Sequence, residues 1–148
     1  MTCWFIEEQH ELNRHFLDIG LIKTKINRLL FDEKASMEGK QNLFVPKEIC
    51  QLLEKIYDKS FINEKVSTEI EKTLLHQQIN HKIPGYLRDE IQVAHKTGED
   101  DGITHDVGIV YAIEPFVIAF ASNEADVPVF ERFIREVSLE LCGLVIKE

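Results

Sequence analysis

The chain has 148 residues, of which 44% are hydrophobic and 29% are charged. These values are typical of one globular domain and exclude a disordered chain. Asp and Glu number 26 against 17 Lys and Arg, which gives a net charge of −9. Because phosphate contacts depend on clustered Lys and Arg, we do not expect this chain to bind nucleic acid or an anionic membrane surface.

The cysteines and the first residues indicate the compartment. The sequence has three cysteines, an odd number, and they lie far apart at Cys3, Cys50 and Cys142. We therefore predict that the chain has no disulfide framework and that it functions in a reducing environment. No segment reaches the ~18–20 apolar residues of a membrane span. The apolar start meets Glu7 without a basic leader, which is not the pattern of a signal peptide. We expect the chain as given to be cytoplasmic.

The first half of the chain is predicted to be helical. A helix from about Phe5 ends at Gly20, and residues 31–45 have no clear period and are predicted to form a long loop. Pro46 begins a second helix, and Thr68-Glu69-Ile70-Glu71 has the pattern of a capping box that begins a third. The apolar faces of these helices are Leu12, Phe16 and Ile19, then Ile49, Leu52, Leu53 and Ile56, then Ile70 and Leu74.

From Asp89 onward the hydrophobic period changes to two, which predicts strands. The first strand precedes a polar turn at residues 98–102, the second covers Thr104 to Ile113, and the third covers Phe116 to Ala121. Their short connections favour an antiparallel meander. A last helix is capped by Asp126. Its apolar stripe is Phe130, Phe133, Ile134, Val137, Leu141 and Leu144.

The predicted fold class is α+β, in which a helical segment is followed by a three-stranded antiparallel meander and a C-terminal helix packed on the sheet. We predict one domain over residues 1–148. Its residues 1–88 are mainly helical, and its residues 89–148 form the sheet and the last helix.

The histidines are not predicted to bind a metal. His10 and His15 are five residues apart, as are His76 and His81. On a helix this spacing turns two side chains about 140° apart, so they cannot chelate from one face. We predict neither a metal nor another cofactor.

No serine has the sequence context of a nucleophile. None is followed by lysine three positions later, and Gly-x-Ser-x-Gly is absent. Ser36 and Ser60 carry no motif. Ser67 is interpreted as a helix-start residue and Ser122 as a strand-end residue.

The most informative motif is Lys96-Thr97-Gly98, at the end of the first predicted strand. This tripeptide in this position is one of three signatures of serine β-lactamases and penicillin-binding proteins. Together with Ile83–Leu87 before it and Thr104–Tyr111 after it, the sequence resembles the C-terminal part of class A β-lactamase-like serine hydrolases. Leu21–Arg28 and Gly39–Asn42 resemble the segments that flank that family's omega loop, so the resemblance covers nearly the whole chain.

Three parts of the family pattern are absent. The sequence has neither a Ser-x-x-Lys nor a Ser-Asp-Asn motif, and residues 29–38 do not match the Glu-x-x-Leu-Asn motif that holds the deacylating glutamate. The resemblance therefore implies a truncated serine hydrolase without its first two strands. We expect it to be inactive alone.

The resemblance implies roles for four residues. Lys96 is the predicted catalytic residue, whose ammonium supplies positive potential for a substrate carboxylate and helps proton movement around a serine. Thr97, Gly98 and Glu99 are predicted to bind substrate. The Thr97 hydroxyl bonds that carboxylate, Gly98 leaves the strand edge open to a substrate backbone, and the Glu99 N–H is one of two oxyanion donors.

Neighbouring polar residues are assigned structural roles. His95 should point away from Lys96, because side chains alternate along a strand, and we predict that it is packed. His105 and Asp106 are predicted to form hydrogen bonds at a strand start. Glu33 and Glu38 are predicted to be solvated.

Two functions remain open. One is part of a hydrolase that acts on β-lactams or peptidoglycan-type peptides and binds such substrates only when the missing half is supplied. The alternative is a non-catalytic binding protein that keeps the fold. Most members of the family act outside the cytoplasm. We also expect a homo-oligomer, because truncation would leave the predicted strand Phe116–Ala121 with an open apolar edge.

Overall fold

The computed structural model describes residues 3–144, with side chains for residues 9–143. Its elements, in chain order, are α1 (Cys3–Asp18), α2 (Glu33–Met37), α3 (Pro46–Tyr57), α4 (Glu64–Leu75), a 3-10 helix (Ile83–Tyr86), β1 (Val93–Asp100), β2 (Ile103–Val110), β3 (Phe116–Phe120) and α5 (Val127–Leu144). The predicted α+β class is confirmed. The chain divides into two compact units, one up to Ile49 and one from Cys50.

In the first unit, side-chain amides hold the segment that follows α1. Asn13 bonds both backbone groups of Ile26, with its Nδ2 donating to the carbonyl and its Oδ1 accepting from the N–H, each at 2.8 Å. Asn42 Oδ1 accepts from the N–H groups of Asn27 and Arg28, each at 2.9 Å. Backbone polar groups of an irregular segment are thereby satisfied without a sheet.

Glu48 fixes the same segment from α3. Its carboxylate accepts hydrogen bonds from the backbone N–H groups of Lys23 and Thr24 at 2.9 Å and from the Thr24 hydroxyl at 2.7 Å. Burial by itself would raise the pKa of Glu48, but these hydrogen bonds outweigh it and hold the pKa below its ordinary value.

The prediction of a loop without secondary structure over residues 31–45 is wrong in part, since it contains α2. Asp32 Oδ1 accepts from the Ala35 N–H at 2.9 Å and so caps this short helix. Ala35 is buried.

The second unit contains the antiparallel sheet, in the order β1-β2-β3. Thr97 lies opposite Asp106 in the first pair of strands, and Ile109 opposite Val117 in the second. The predicted meander is therefore confirmed. β1 begins later than predicted and extends through Asp100, so that the turn consists of Asp101 and Gly102, whose φ of +64° suits glycine.

The core of this unit lies between one face of the sheet and α5. Ile134 is fully buried there, and Val129 N–H donates to Asp126 Oδ1 at 3.2 Å, which confirms the predicted cap. Phe133 is half-exposed rather than buried, and the side chain of Leu144 lies outside the described residues. The core cluster is Ile83, Val93, Val110, Phe120, Ile134 and Cys142.

The predicted capping box at Thr68 is wrong. α4 begins at Glu64, and its cap is Asn63, whose Oδ1 accepts from the Val66 N–H at 2.9 Å. Ser67 is consequently inside the helix, where it is buried and donates from Oγ to the Phe61 carbonyl at 2.9 Å. Among the helices described, none is both long enough and apolar enough to cross a membrane.

Candidate active site

The Lys-Thr-Gly sequence lies on β1, which is an outer strand of the described sheet. The Lys96 side chain is exposed, whereas Thr97 is only 6% exposed. Side chains alternate along a strand, and Val93 belongs to the core beneath α5. Thr97 and Glu99 therefore share the face that α5 covers, and Lys96 lies on the opposite face.

The backbone N–H and C=O groups of successive β1 residues also alternate in direction, pointing first toward β2 and then toward the outer edge of the sheet. The Tyr111 N–H donates to the Gln92 carbonyl at 2.9 Å, which continues the register that pairs Val93 with Val110. Directly opposed residues alternate between hydrogen-bonded and non-hydrogen-bonded pairs. Thr97 and Glu99 belong to non-hydrogen-bonded pairs with β2, so their N–H and C=O groups are directed toward the outer edge of the sheet.

The Lys96 ammonium donates to the carbonyl of Thr97. That carbonyl is one of the groups directed outward, so the contact places the positive charge at the same edge as the Glu99 N–H. A cation and a backbone donor at one edge are suited to binding an anionic group on a substrate.

Beneath this edge, His95 is packed as predicted. It is 1% exposed, its Nδ1 lies 2.9 Å from Asp106 Oδ1, and its Nε2 lies 3.0 Å from Asn80 Oδ1. Asp106 is fully buried and also accepts from the Ile83 N–H through Oδ2 at 2.9 Å. The predicted structural role of Asp106 is confirmed, since it joins β1, β2 and the 3-10 helix.

Gly108 leaves the space that His95 occupies. A Cβ at position 108 would lie 2.7 Å from His95 Cβ and 2.9 Å from the Ala94 carbonyl oxygen. Such contacts are shorter than van der Waals packing permits. A glycine is therefore required opposite His95.

Lys82 is a buried cation that sequence reasoning missed. It is fully buried, and its ammonium donates to the carbonyls of Gly98 and His105 at 3.4 and 3.2 Å. It also lies 3.0 Å from a carboxylate oxygen of Glu99 and 3.9 Å from one of Glu131 on α5. No local pattern predicts a buried lysine, because its partners come from three separate elements.

This ion pair favours the ionised form of the Glu99 side chain. The hydrogen bond and the positive charge of Lys82 lower the pKa of Glu99 below its ordinary value. The backbone N–H and C=O groups of Glu99 thus point to the outer edge of β1, while the Lys82 ammonium holds its side chain.

His81, Glu99 and Glu131 also present ligand atoms within 4.8 Å of one another. His81 Nε2 lies 3.3 Å from Glu131 Oε1, and Thr104 Oγ1 donates to the same oxygen at 3.1 Å. The ammonium of Lys82 already lies between the two carboxylates. We interpret the group as an ion-pair cluster because a metal ion there would be repelled by that charge.

His105 lies near this cluster and has a structural contact, as predicted. Its Nδ1 accepts from the Ser122 N–H at 3.1 Å, and burial lowers the pKa of its imidazole. Ser122 Oγ in turn donates to the Thr104 carbonyl at 2.9 Å. The two residues fasten the end of β3 to the start of β2.

Four of the five serine hydroxyls form local hydrogen bonds, and the buried Ser138 hydroxyl has no partner within residues 3–144. Ser36 Oγ accepts from Gln41, Ser60 Oγ donates to the Lys55 carbonyl, and Ser138, a fifth serine inside α5, is fully buried. With the Ser67 and Ser122 hydroxyls donating to backbone carbonyls, no serine hydroxyl of the described residues donates to a basic side chain. None is therefore arranged as an activated nucleophile.

The acids of the omega-like loop are solvated, as predicted. Glu33 is exposed, and Glu38 forms an exposed pair with Lys40 at 3.1 Å. Such a pair contributes little to stability.

Comparison with known families identifies the fold. A family described as the beta-lactamase enzyme family matches residues 3–144, which is nearly the whole chain. The chain belongs to the beta-lactamase enzyme family. The resemblance inferred from Lys96-Thr97-Gly98 is thereby confirmed. Among curated proteins, no match was found.

Solved beta-lactamase-like structures share this architecture. PBP-A has 25% sequence identity and a TM-score of 0.83, over 95% of this chain and 52% of its own. The TLA-1 extended spectrum beta-lactamase has 23% identity and a TM-score of 0.75, over 94% and 55%. A class A beta-lactamase representative from Bacteroides cellulosilyticus DSM 14838 has 18% identity and a TM-score of 0.76, over 95% and 55%. The chain thus spans about half the length of these beta-lactamase-like proteins.

Proposed function

We propose that this chain supplies the substrate-binding strand of a beta-lactamase-like serine hydrolase, for acyl transfer on β-lactams or peptidoglycan-type peptides. The observation that carries the proposal is the outer edge of β1, where the exposed Lys96 ammonium and the outward Glu99 backbone lie together. PBP-A with an L158E mutation is described as an acyl-enzyme complex with penicillin-G. The likeness to PBP-A supports the substrate class.

The roles of the four proposed residues follow from their positions. Lys96 would attract a substrate carboxylate and stabilise negative charge near an attacking serine. Gly98, which lacks a side chain, would let a substrate backbone lie along the edge. The Glu99 N–H would donate to the oxyanion that develops on the attacked carbonyl.

Thr97 contributes differently from the other three. Its side chain is nearly buried on the face that α5 covers, so we propose that its outward backbone, rather than its hydroxyl, meets the substrate. The Lys96 contact to the Thr97 carbonyl supports this assignment because it shows that the carbonyl is reachable from the outer edge.

We further propose that the chain alone is inactive. Its sequence contains no Ser-x-x-Lys motif, and an acyl-enzyme needs an activated serine. A substrate would bind productively only when a second segment supplies that motif. The chain would act as a homo-oligomer, through a surface separate from the β1 edge.

The same missing nucleophile supports the second candidate function, a binding protein that keeps the strand edge and performs no chemistry. The DNA directly upstream of the Met1 codon discriminates between the two. An open frame that encodes Ser-x-x-Lys and Ser-Asp-Asn supports the hydrolase. Stop codons in that frame, with no such motifs encoded nearby, support the binding protein.

A direct assay tests inactivity. Purified chain is incubated with a chromogenic cephalosporin and, separately, with a fluorescent penicillin, and a class A beta-lactamase serves as the positive control. We expect hydrolysis at the buffer rate and no covalent label. A labelled serine in this chain would contradict the proposal.

A further inference from the structure

The peptide group that joins Gly98 to Glu99 has one end toward β2 and the other toward the outer edge of β1. Gly98 lies opposite His105 in a hydrogen-bonded pair, so its carbonyl points toward β2. The Glu99 N–H belongs to the same planar group and points the opposite way, to the outer edge. A contact made with the Gly98 carbonyl therefore acts on the Glu99 N–H as well.

The Gly98 carbonyl accepts from a cation as well as from the strand ladder. The Lys82 ammonium donates to it at 3.4 Å and to the His105 carbonyl at 3.2 Å. These two carbonyls belong to the same hydrogen-bonded pair, so the ammonium lies over the point where β1 and β2 are joined. Lys82 is fully buried, and a buried charge is screened much less than an exposed one.

The ammonium is held in this position by its surroundings. It lies 3.0 Å from a carboxylate oxygen of Glu99 and 3.9 Å from one of Glu131. The next residue along the chain, Ile83, donates its N–H to the buried Asp106 carboxylate at 2.9 Å. Replacement of a buried ion pair by apolar residues is often neutral or stabilising, so stability alone does not account for a cation here.

We propose that Lys82 is a positioning residue for acyl transfer, which acts through the Gly98 carbonyl to polarise and orient the peptide group and so strengthens the Glu99 N–H as a hydrogen-bond donor. Lys82 would never touch the substrate itself. This role rests on the proposed function, in which the Glu99 N–H donates to the oxyanion.

The effect of Lys82 follows from the chemistry of the amide. A donor to the carbonyl oxygen draws electron density from the nitrogen, which makes the N–H more positive. Successive hydrogen bonds strengthen one another in this way by about 10–30% per bond, and a charged donor forms a stronger bond than a neutral one. Because the cation is already in place before reaction, the strengthened donor needs no reorganisation in the transition state.

The Thr97 N–H provides an internal comparison. It also points to the outer edge, and its peptide group carries the Lys96 carbonyl, which faces β2 like that of Gly98. The hydrogen bonds of Lys82 to backbone carbonyls, among the described residues, go to Gly98 and His105. A general change in the strand would move both outward amides, whereas loss of the cation should move that of Glu99 more.

NMR of the full chain tests the contact without any catalysis. In Lys82→Met, we expect upfield shifts of the Glu99 amide proton and of the Gly98 carbonyl carbon, with a smaller change at the Thr97 amide. Glu131→Gln is the matched control, because it keeps the ammonium and an oxygen that can accept from Thr104 Oγ1, and it should leave both resonances nearly unchanged. A Glu99 amide that moves no more than the Thr97 amide would overturn the proposal.

Acylation kinetics test the consequence for the reaction. The half that carries Ser-x-x-Lys is supplied as a separate chain, and labelling is followed at several concentrations of fluorescent penicillin. An oxyanion donor acts in the transition state, so Lys82→Met should lower the rate at saturation and leave the half-saturating concentration unchanged. We expect a loss of about 10-fold, smaller than the ~10²–10³-fold loss caused by removing a donor itself.

A second comparison separates polarisation from the charge of Glu99. Lys82→Met leaves that carboxylate unpaired, so Lys82→Met/Glu99→Gln is compared with Glu99→Gln, and both carry a neutral side chain at position 99. The double variant should again be about 10-fold slower. Equal rates within this pair would overturn the role of Lys82 and leave the proposed function standing. A wild-type assembly that forms and is never labelled would instead contradict the proposed function, whatever the NMR shifts.

Discussion

The His95 imidazole and the Asp106 carboxylate meet between β1 and β2, with Nδ1 and Oδ1 2.9 Å apart and both side chains buried. Asp106 lies opposite Thr97 in the ladder, so this contact crosses the sheet diagonally beneath the Lys-Thr-Gly edge. The position of the proposed substrate strand therefore depends on a buried carboxylate that never reaches the substrate.

Asp106→Ala should strongly destabilise the protein. It leaves the Ile83 N–H and the His95 ring without their acceptor, and an unsatisfied buried donor costs about 1–3 kcal/mol each. Urea unfolding followed by circular dichroism measures the loss. Asp101→Ala, in the exposed turn, is the control and should change stability by less than ~0.5 kcal/mol. A loss of that small size for Asp106→Ala would contradict the assigned role.

Lys96 should matter only once a nucleophile is present. When the half that carries Ser-x-x-Lys is supplied as a separate chain and an active assembly forms, Lys96→Ala should lower its acylation rate by about 10²-fold, which is typical for one preorganised electrostatic group. Lys96→Arg keeps the charge and should retain more of the rate. The acylation rate of each variant is measured by labelling with fluorescent penicillin over time. Equal rates for the wild type and Lys96→Ala would show that Lys96-Thr97-Gly98 has no role in acylation and only ends a strand.

Lys82 should set the titration of Glu99. In the wild type, the ammonium of Lys82 lowers the pKa of the Glu99 carboxyl below its ordinary value of 4.5. The carboxylate therefore stays ionised at a lower pH than an unperturbed glutamate. Lys82→Met should raise that pKa toward 4.5, as measured by NMR of the side-chain carboxyl carbon. Lys96→Met is the comparison and should raise it less, because Lys96 makes the smallest contribution. An unchanged Glu99 titration in Lys82→Met would show that the pair does not persist in solution.

Tyr111 should resist ionisation at alkaline pH. Burial and its hydrogen bond to Glu71 raise the pKa of the phenol above its ordinary value of 10.0. Because the folded pKa is the higher one, the stabilisation is complete below pH 10 and is lost as the pH rises beyond it. The ultraviolet absorbance of tyrosinate should show one of the three tyrosines titrating late.

Substitution identifies the late tyrosine. Tyr111→Phe should abolish the late step and cost about 1.5–3 kcal/mol, the value of a hydrogen bond to a charged group. Tyr86→Phe, at a 47% exposed ring, is the control and should leave the late step in place. Were the late step to persist in Tyr111→Phe, the assignment to Tyr111 would fail.

The sequence was sufficient to predict elements whose signal is periodic. The three strands and α5 follow from alternation and from an apolar stripe, which report burial directly. Boundaries were less accurate, because threonine and asparagine are both common N-cap residues and only the fold shows that Asn63, rather than Thr68, caps α4. The strand residue Lys96 was found from its motif.

Residues joined by tertiary contacts could not be predicted. Lys82 has the sequence signature of a surface residue, and its burial depends on Glu99, Glu131 and two strand carbonyls meeting in space. The half-exposure of Phe133 was missed for a related reason. Periodicity shows which side of a helix is apolar, and it does not show how far the sheet beneath extends.

Asn13 and Asn42 hold the same irregular segment, yet they differ in what could replace them. Asn42 offers only an acceptor oxygen to Asn27 and Arg28, so an aspartate, which accepts as well, meets that requirement. Asn13 both donates to and accepts from the Ile26 backbone, and an ionised aspartate has no donor. An aspartate at position 42 would therefore keep these contacts, whereas an aspartate at position 13 would set a carboxylate against the Ile26 carbonyl and loosen the segment.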